Sequence, residues 1–298
     1  MVFSLKHLAK LPALASLAAA LSLAALAPAE AAPKRWVMSD KDTQVLILGT
    51  VPFIDSKAQW LDSGLESEFS RAKALVLDLS PEQQDPQIIN PLVQQHAFLP
   101  EDTELADVLS EADYAELNAI VSQQGLSQSQ FAKLRPWFAA ITITAIEFAR
   151  AGNIPTAGVD FTLITLAKEN DVDIRGLTSA EDQVAAFAAL SPEQEKAFLL
   201  GSLAHVRNAS EVLKAITSLW VAGETDMLTD VLARNFSLDP SLKGALIDAR
   251  TQEWQPKIEG LLDEPGLFIV AISTSYLTGE DGLIARLEKA GHTVSAVN

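Results

Sequence analysis

Four positions could do chemistry together if the fold brings them to one place. The run Ile47-Leu48-Gly49-Thr50-Val51 ends at Pro52, and the run Val270-Ala271-Ile272 passes through Ser273 to Tyr276. Each is an apolar stretch closed by a tight turn. As parallel neighbours they would set Pro52 and Tyr276 at one carboxyl edge of a sheet, where open α/β sheets bind ligands. Asp78 closes another apolar run, and Arg250 lies in a helical stretch. A phenol can serve as a general acid. A guanidinium suits a carboxylate or an oxyanion through its planar donors. Equally open for Arg250 is an ordinary ion pair with Asp78.

Other groups offer less. His96 in a loop, His205 on a helix beside Arg207 and His292 near the last strand read as surface or structural residues, with His96 the best placed to fold over a sheet edge. Ser70-x-x-Lys73 has a serine–lysine spacing but none of the companion motifs of penicillin-binding enzymes. Gly279-Glu280-Asp281-Gly282 lacks the spaced oxygens of a calcium loop and reads as the start of a helix, where acidic groups favour the dipole. The five tryptophans, at 36, 60, 137, 220 and 254, read as core anchors.

The elements that must position these residues are legible as patterns. Residues 44–51, 74–78, 172–177 and 267–272 are short apolar runs rich in branched side chains, hence buried strands, with a last strand over 292–297. Helical spacing covers 56–72, 103–150 in pieces, 159–170, 182–190, 192–221, 226–235, 240–262 and 280–290. Pro136 is expected to kink or divide the stretch over 127–150. Ser191-Pro192-Glu193-Gln194 is a capping box that starts a helix. Residues 80–100 read as a long loop. Strands that are apolar throughout and separated by helices imply an α/β fold, a small, largely parallel sheet covered by helices on both faces and carrying a large helical insertion.

Composition limits the partners. The chain carries 22 basic and 39 acidic residues, a formal charge of −17, which disfavours phosphate backbones and hence nucleic acid. With no cysteine, thiolate-bound zinc, iron–sulfur clusters and thiol catalysis are excluded. The basic start at Lys6, His7 and Lys10, the Ala/Leu run from 11 to 27 and the small residues of Ala29-Glu30-Ala31 read as a signal peptide over 1–31. The run is short and Ala-rich for a retained anchor. The expectation is an exported protein, periplasmic or secreted, with a single domain over 32–298 and no membrane span once the signal is removed.

In order and spacing, the chain resembles the TraB/GumN family, related to the Tiki proteases. The resemblance runs from Trp36 through Leu48-Gly49-Thr50, Trp60-Leu61, Arg135-Pro136-Trp137, Gly158-Val159-Asp160, Gly176-Leu177, Glu181-Asp182-Gln183 and Ala249-Arg250 to Leu277-Thr278-Gly279-Glu280-Asp281-Gly282-Leu283. It implies a site of two Gly-x-x-His motifs, a glutamate and an arginine that holds a divalent metal for hydrolysis. Here the first motif keeps Gly49 but ends in Pro52, and the second starts at Ser273 and ends in Tyr276. Asp78 stands at the glutamate position, Arg250 is kept, Thr251 replaces an asparagine and Thr178 a glutamate. With both imidazoles gone, Asp78 and Asp160 are too few donors for a catalytic metal. The expectation is therefore a non-catalytic relative without a metal cofactor that binds a peptide, a glycan or an envelope protein. The alternative is a hydrolase of altered chemistry using Asp78, Arg250 and Tyr276. A third reading makes the helical region from about 103 to 235 a docking surface in an envelope assembly.

Overall fold

Alternation within each central strand decides the architecture. In the computed structural model, which describes residues 32–297, six strands form one sheet in the order β4-β3-β5-β2-β1-β6. They are β1 (Arg35–Ser39), β2 (Thr43–Thr50), β3 (Ala72–Leu79), β4 (Asp173–Thr178), β5 (Gly266–Ser273) and β6 (Val294–Val297). β5 lies between β2 and β3 and is parallel to both, β4 is parallel to β3, and β1 runs antiparallel to its neighbours β2 and β6. Successive side chains point to opposite faces. Leu46, Leu48, Leu75, Leu77, Ile269 and Ala271 enter the core on one face. Val45, Ile47, Val76, Phe268, Val270 and Ile272 enter the core on the other. Both faces are apolar because helices cover both, so the fold is α/β with a mostly parallel mixed sheet.

The helices follow two rules, an apolar stripe and a start signal. Asp62, Ser110, Ser179 and Ser191 each accept a backbone N–H at the N-terminus of the following helix, and Ser191 with Gln194 completes the capping box. The helical insertion comes as two groups, one between β3 and β4 and one between β4 and β5. The Pro192–Val206 and Ala209–Val221 helices, which the pattern ran together, break at Arg207 and Asn208.

Several expectations are corrected. β1 is a strand that periodicity does not reveal, because it is short and opens on a charged residue, Arg35, which is buried only by virtue of its ion pair with Asp62 at 2.8 Å. The helix expected over 56–72 is confined to Ser63–Phe69. The loop expected over 80–100 contains the Pro86–His96 helix, started by the Asp85 carboxylate and by Pro86 in the first turn, where a missing N–H costs nothing. For the same reason Pro136 opens the Pro136–Ala151 helix, and so divides the stretch over 127–150 instead of kinking one helix. The last helix begins at Leu283, which leaves Glu280 and Asp281 outside its first turn. Ser70 closes the Ser63–Phe69 helix while Lys73 lies in β3, so the two do not share a helix. All five tryptophans are buried. The signal reading over 1–31 lies outside the described residues, and no described helix is long and apolar enough to cross a membrane.

Candidate functional site

The two turns do meet. β2 and β5 pair in register from Thr43 with Gly266 to Thr50 with Ser273, so both strands leave the sheet at the same edge. The Thr274 hydroxyl donates to the Thr50 carbonyl at 3.0 Å and fastens the second turn to the first. Gly49 is required here. A Cβ would come within 2.7 Å of Thr274 Oγ1, a contact that side chains do not make. Its carbonyl accepts from Trp220 Nε1 at 2.6 Å, which ties the turn to the helical layer.

Two clefts open above this edge, on either side of Pro52 and Phe53. The first, about 410 Å³, is lined by Gln84, Asn153, Asp160 and Phe161 among others. The second, about 270 Å³, is mainly apolar, with Phe53, Phe187, Phe198 and Phe236 on its walls and Arg250 and Tyr276 beside them. Pro52, Arg250 and Tyr276 thus converge on one cleft. Asp78, at the end of β3, lies close enough to act electrostatically on both Tyr276 and Asp160, although it lines neither cleft. Ser273 turns aside and bonds Ser275 at 2.8 Å.

Arg250 is buried, at 8% exposure, on the inner face of the Ala249–Glu259 helix with Thr251, Trp254 and Ile258. Its guanidinium donates to the Tyr276 hydroxyl at 3.4 Å and to the Gln183 carbonyl at 3.5 Å, both long. Among the described residues no carboxylate stands within ion-pair distance of it. The Asp78–Arg250 ion pair that the sequence left open is therefore not formed, and Asp78 Oδ1 accepts the Leu79 N–H at 2.8 Å instead. Arg250 still acts on Asp78 through space.

The carboxyl groups are perturbed in one direction. Burial holds the Asp78 carboxyl above the usual range, opposed by the Leu79 N–H and the charge of Arg250. Asp160, in the first turn of the Val159–Glu169 helix, is pushed up to about 7, first by its dense surroundings and then by the charge of Asp78, with a Thr50 hydrogen bond opposing. The residue keeps exposed surface in the cleft, so water tempers the burial effect without reversing it. Burial also raises the Tyr276 phenol, which stays protonated at neutral pH.

The sign of a pH effect follows. Asp160 ionises near its ordinary value of 3.8 in the unfolded chain but near 7 in the folded one. Between those values the folded state binds more protons, so its stability falls as pH rises through that window and is level above it. Asp160→Asn is expected to flatten this decline and to be the more stable protein at pH 8. Urea midpoints at pH 5 and pH 8 check it, and an unchanged slope would refute the assignment.

Among the described residues no histidine lines either cleft. The His96 carbonyl accepts from Arg135 at 3.2 Å, and His292 faces Glu259 at 3.5 Å. Among the described residues no three His, Asp or Glu side chains gather closely enough to hold a metal ion. The aromatic wall at positions 53, 187, 198 and 236 escaped the sequence reading, since nothing in the spacing of those residues links them.

Comparison with known proteins places the chain. The profile of the TraB/PrgY/gumN family matches residues 35–296. The chain is similar to the uncharacterized protein YbaP of Escherichia coli strain K12, at 26% identity over 223 residues, which cover 75% of this chain and 80% of that protein. It is similar to YbaP of Shigella flexneri to the same extent. No solved structure gives a significant match. With the profile spanning nearly every described residue, the chain belongs to the TraB/PrgY/gumN family.

Proposed function

We propose that this protein is an exported, non-catalytic member of its family that binds a peptide or protein segment in the clefts at the carboxyl edge of its sheet. The observation that carries the reading is the pair of residues at the fastened turns, Pro52 and Tyr276, which share a cleft with Arg250. The family resemblance would have imidazoles there to hold a divalent metal. The residues present do not fit such an ion. Proline has no side-chain donor, and the phenol is held protonated while it accepts from Arg250.

A peptide suits the walls better than a glycan. Ile141 lines the aromatic cleft and Phe161 the other, and both are exposed, as is Ile154 next to the lining residues Asn153 and Pro155. An apolar rim around a concave site marks a place where apolar groups are buried on binding. The tryptophans are in the core and offer no stacking platform for sugars. Metal analysis after equilibration with zinc, manganese or cobalt and mild dialysis tests the reading. Less than a tenth of an equivalent is expected, and a stoichiometric ion would overturn it.

One observation favours the hydrolase alternative. Asp160 lines a cleft at the sheet edge, where crowding and the charge of Asp78 push its carboxyl up toward the range suited to a general acid or base. Peptidase and esterase substrates decide between the readings. Hydrolysis abolished by Asp78→Asn and Arg250→Ala would establish the alternative.

A further inference from the structure

We propose that the aromatic cleft takes one small apolar group that ends in a carboxylate, with Arg250 as the partner of that carboxylate. The inference rests on the binding reading above and names the chemistry of its ligand.

The first support is an anomaly among the buried arginines. A charge removed from water is ordinarily paired and hydrogen-bonded. Arg35, 7% exposed, holds Asp62 at 2.8 Å, and even the half-buried Arg135 holds Glu195. Arg250, buried to the same degree as Arg35, makes only two long contacts with neutral oxygens. Its cation therefore has donor capacity left, and it lines a cleft. A carboxylate would supply short, charge-assisted bonds that the fold does not.

The second support is the shape and chemistry of the walls. Phe53, Phe187, Phe198, Phe236 and Ile247 enclose about 270 Å³ next to that cation, just below the usual range for drug-sized ligands. There is room for one aromatic or branched side group, not for an extended apolar chain. Ile247 and Leu246 are presented by a π-helical turn over Gly244–Asp248, directly before Arg250. Such turns are rare and recur at functional sites. The charge balance selects the valence. Asp78 from β3 acts through space on both Arg250 and Tyr276, so a monoanion is favoured over a phosphate-like dianion.

Two sources share this chemistry, the C-terminal residue of a peptide and a free small acid such as an aryl-alkanoate. Calorimetric titration of the purified protein separates them. The probes are 3-phenylpropionate, 3-phenylpropanamide, and a tetrapeptide of three alanines and a final phenylalanine, as free acid and as C-terminal amide. The acids are expected to bind, with each amide at least tenfold weaker. Arg250→Gln should weaken the acids at least tenfold and leave the amides unchanged, while Arg250→Lys retains part of the preference. Should Arg250→Gln melt early, the acid-to-amide ratio of the unaltered protein still decides. A peptide acid tighter than 3-phenylpropionate identifies a chain terminus as the ligand, and the reverse identifies a free acid. Equal affinity for acids and amides overturns the carboxylate assignment and leaves the binding cleft standing. No binding by any probe overturns the cleft as well.

Discussion

Replacing Arg135 with leucine is expected to lower stability by about 3–5 kcal/mol, the cost of leaving one partner of a buried ion pair alone. The pair is Arg135, whose side chain is 22% exposed, with Glu195, whose side chain is 5% exposed and would be left buried without a partner. Arg135 reaches further than that. Its guanidinium donates to the carbonyls of His96 at 3.2 Å and Ala188 at 3.0 Å, at the ends of the Pro86–His96 and Ala180–Ala188 helices, while its backbone N–H donates to Ala97 at 2.8 Å. One cation thus joins the negative ends of two helices to a carboxylate in the first turn of a third. Lysine would keep the charge but not the planar fork, so Arg135→Lys should recover only part of the loss. Urea denaturation measures it. Since a domain of ordinary stability has about 5–15 kcal/mol in hand, a loss below about 1 kcal/mol would show that water replaces the pair. The effect should extend to the aromatic cleft, because the adjoining Trp137 stacks on Phe187, a wall residue, at 5.4 Å between ring centroids.

Trp254→Ala carries the second large effect, about 3–5 kcal/mol for removing a fully buried indole. Trp254 is 0% exposed and fills the core on the second face of the sheet with Ile258, Phe268 and Val270. Its Nε1 donates to Thr178 Oγ1 at 2.6 Å, so truncation also strands a buried hydroxyl at the end of β4. The indole meets Tyr276 edge-on at 4.7 Å and lies one helical turn after Arg250. Ligand affinity should therefore fall along with the melting temperature. Trp254→Phe separates the two causes. It keeps most of the ring and removes the N–H, so it should cost about 1–2 kcal/mol and largely preserve the position of Tyr276. If both variants lose the same stability, the hydrogen bond rather than the packing dominates.

What the sequence by itself determined is whatever is written in contiguous residues. The apolar branched runs that became β2, β3, β4 and β5, the capping box at Ser191 and the inward tryptophans follow from local propensity and from burial on both faces of a parallel sheet. The meeting of Pro52 and Tyr276 was legible only on the condition that their strands are parallel neighbours, which the pairing of β2 with β5 fulfils. Tertiary structure decided the rest. β1 is a strand because β2 and β6 supply its hydrogen bonds from either side. Whether Arg250 would pair with Asp78 depended on where two side chains point after 171 intervening residues have packed. The aromatic wall unites Phe53, Phe187, Phe198 and Phe236 only once the helical layers close over the sheet. A cavity is the space that side chains distant in sequence leave unfilled, and no local pattern encodes a space.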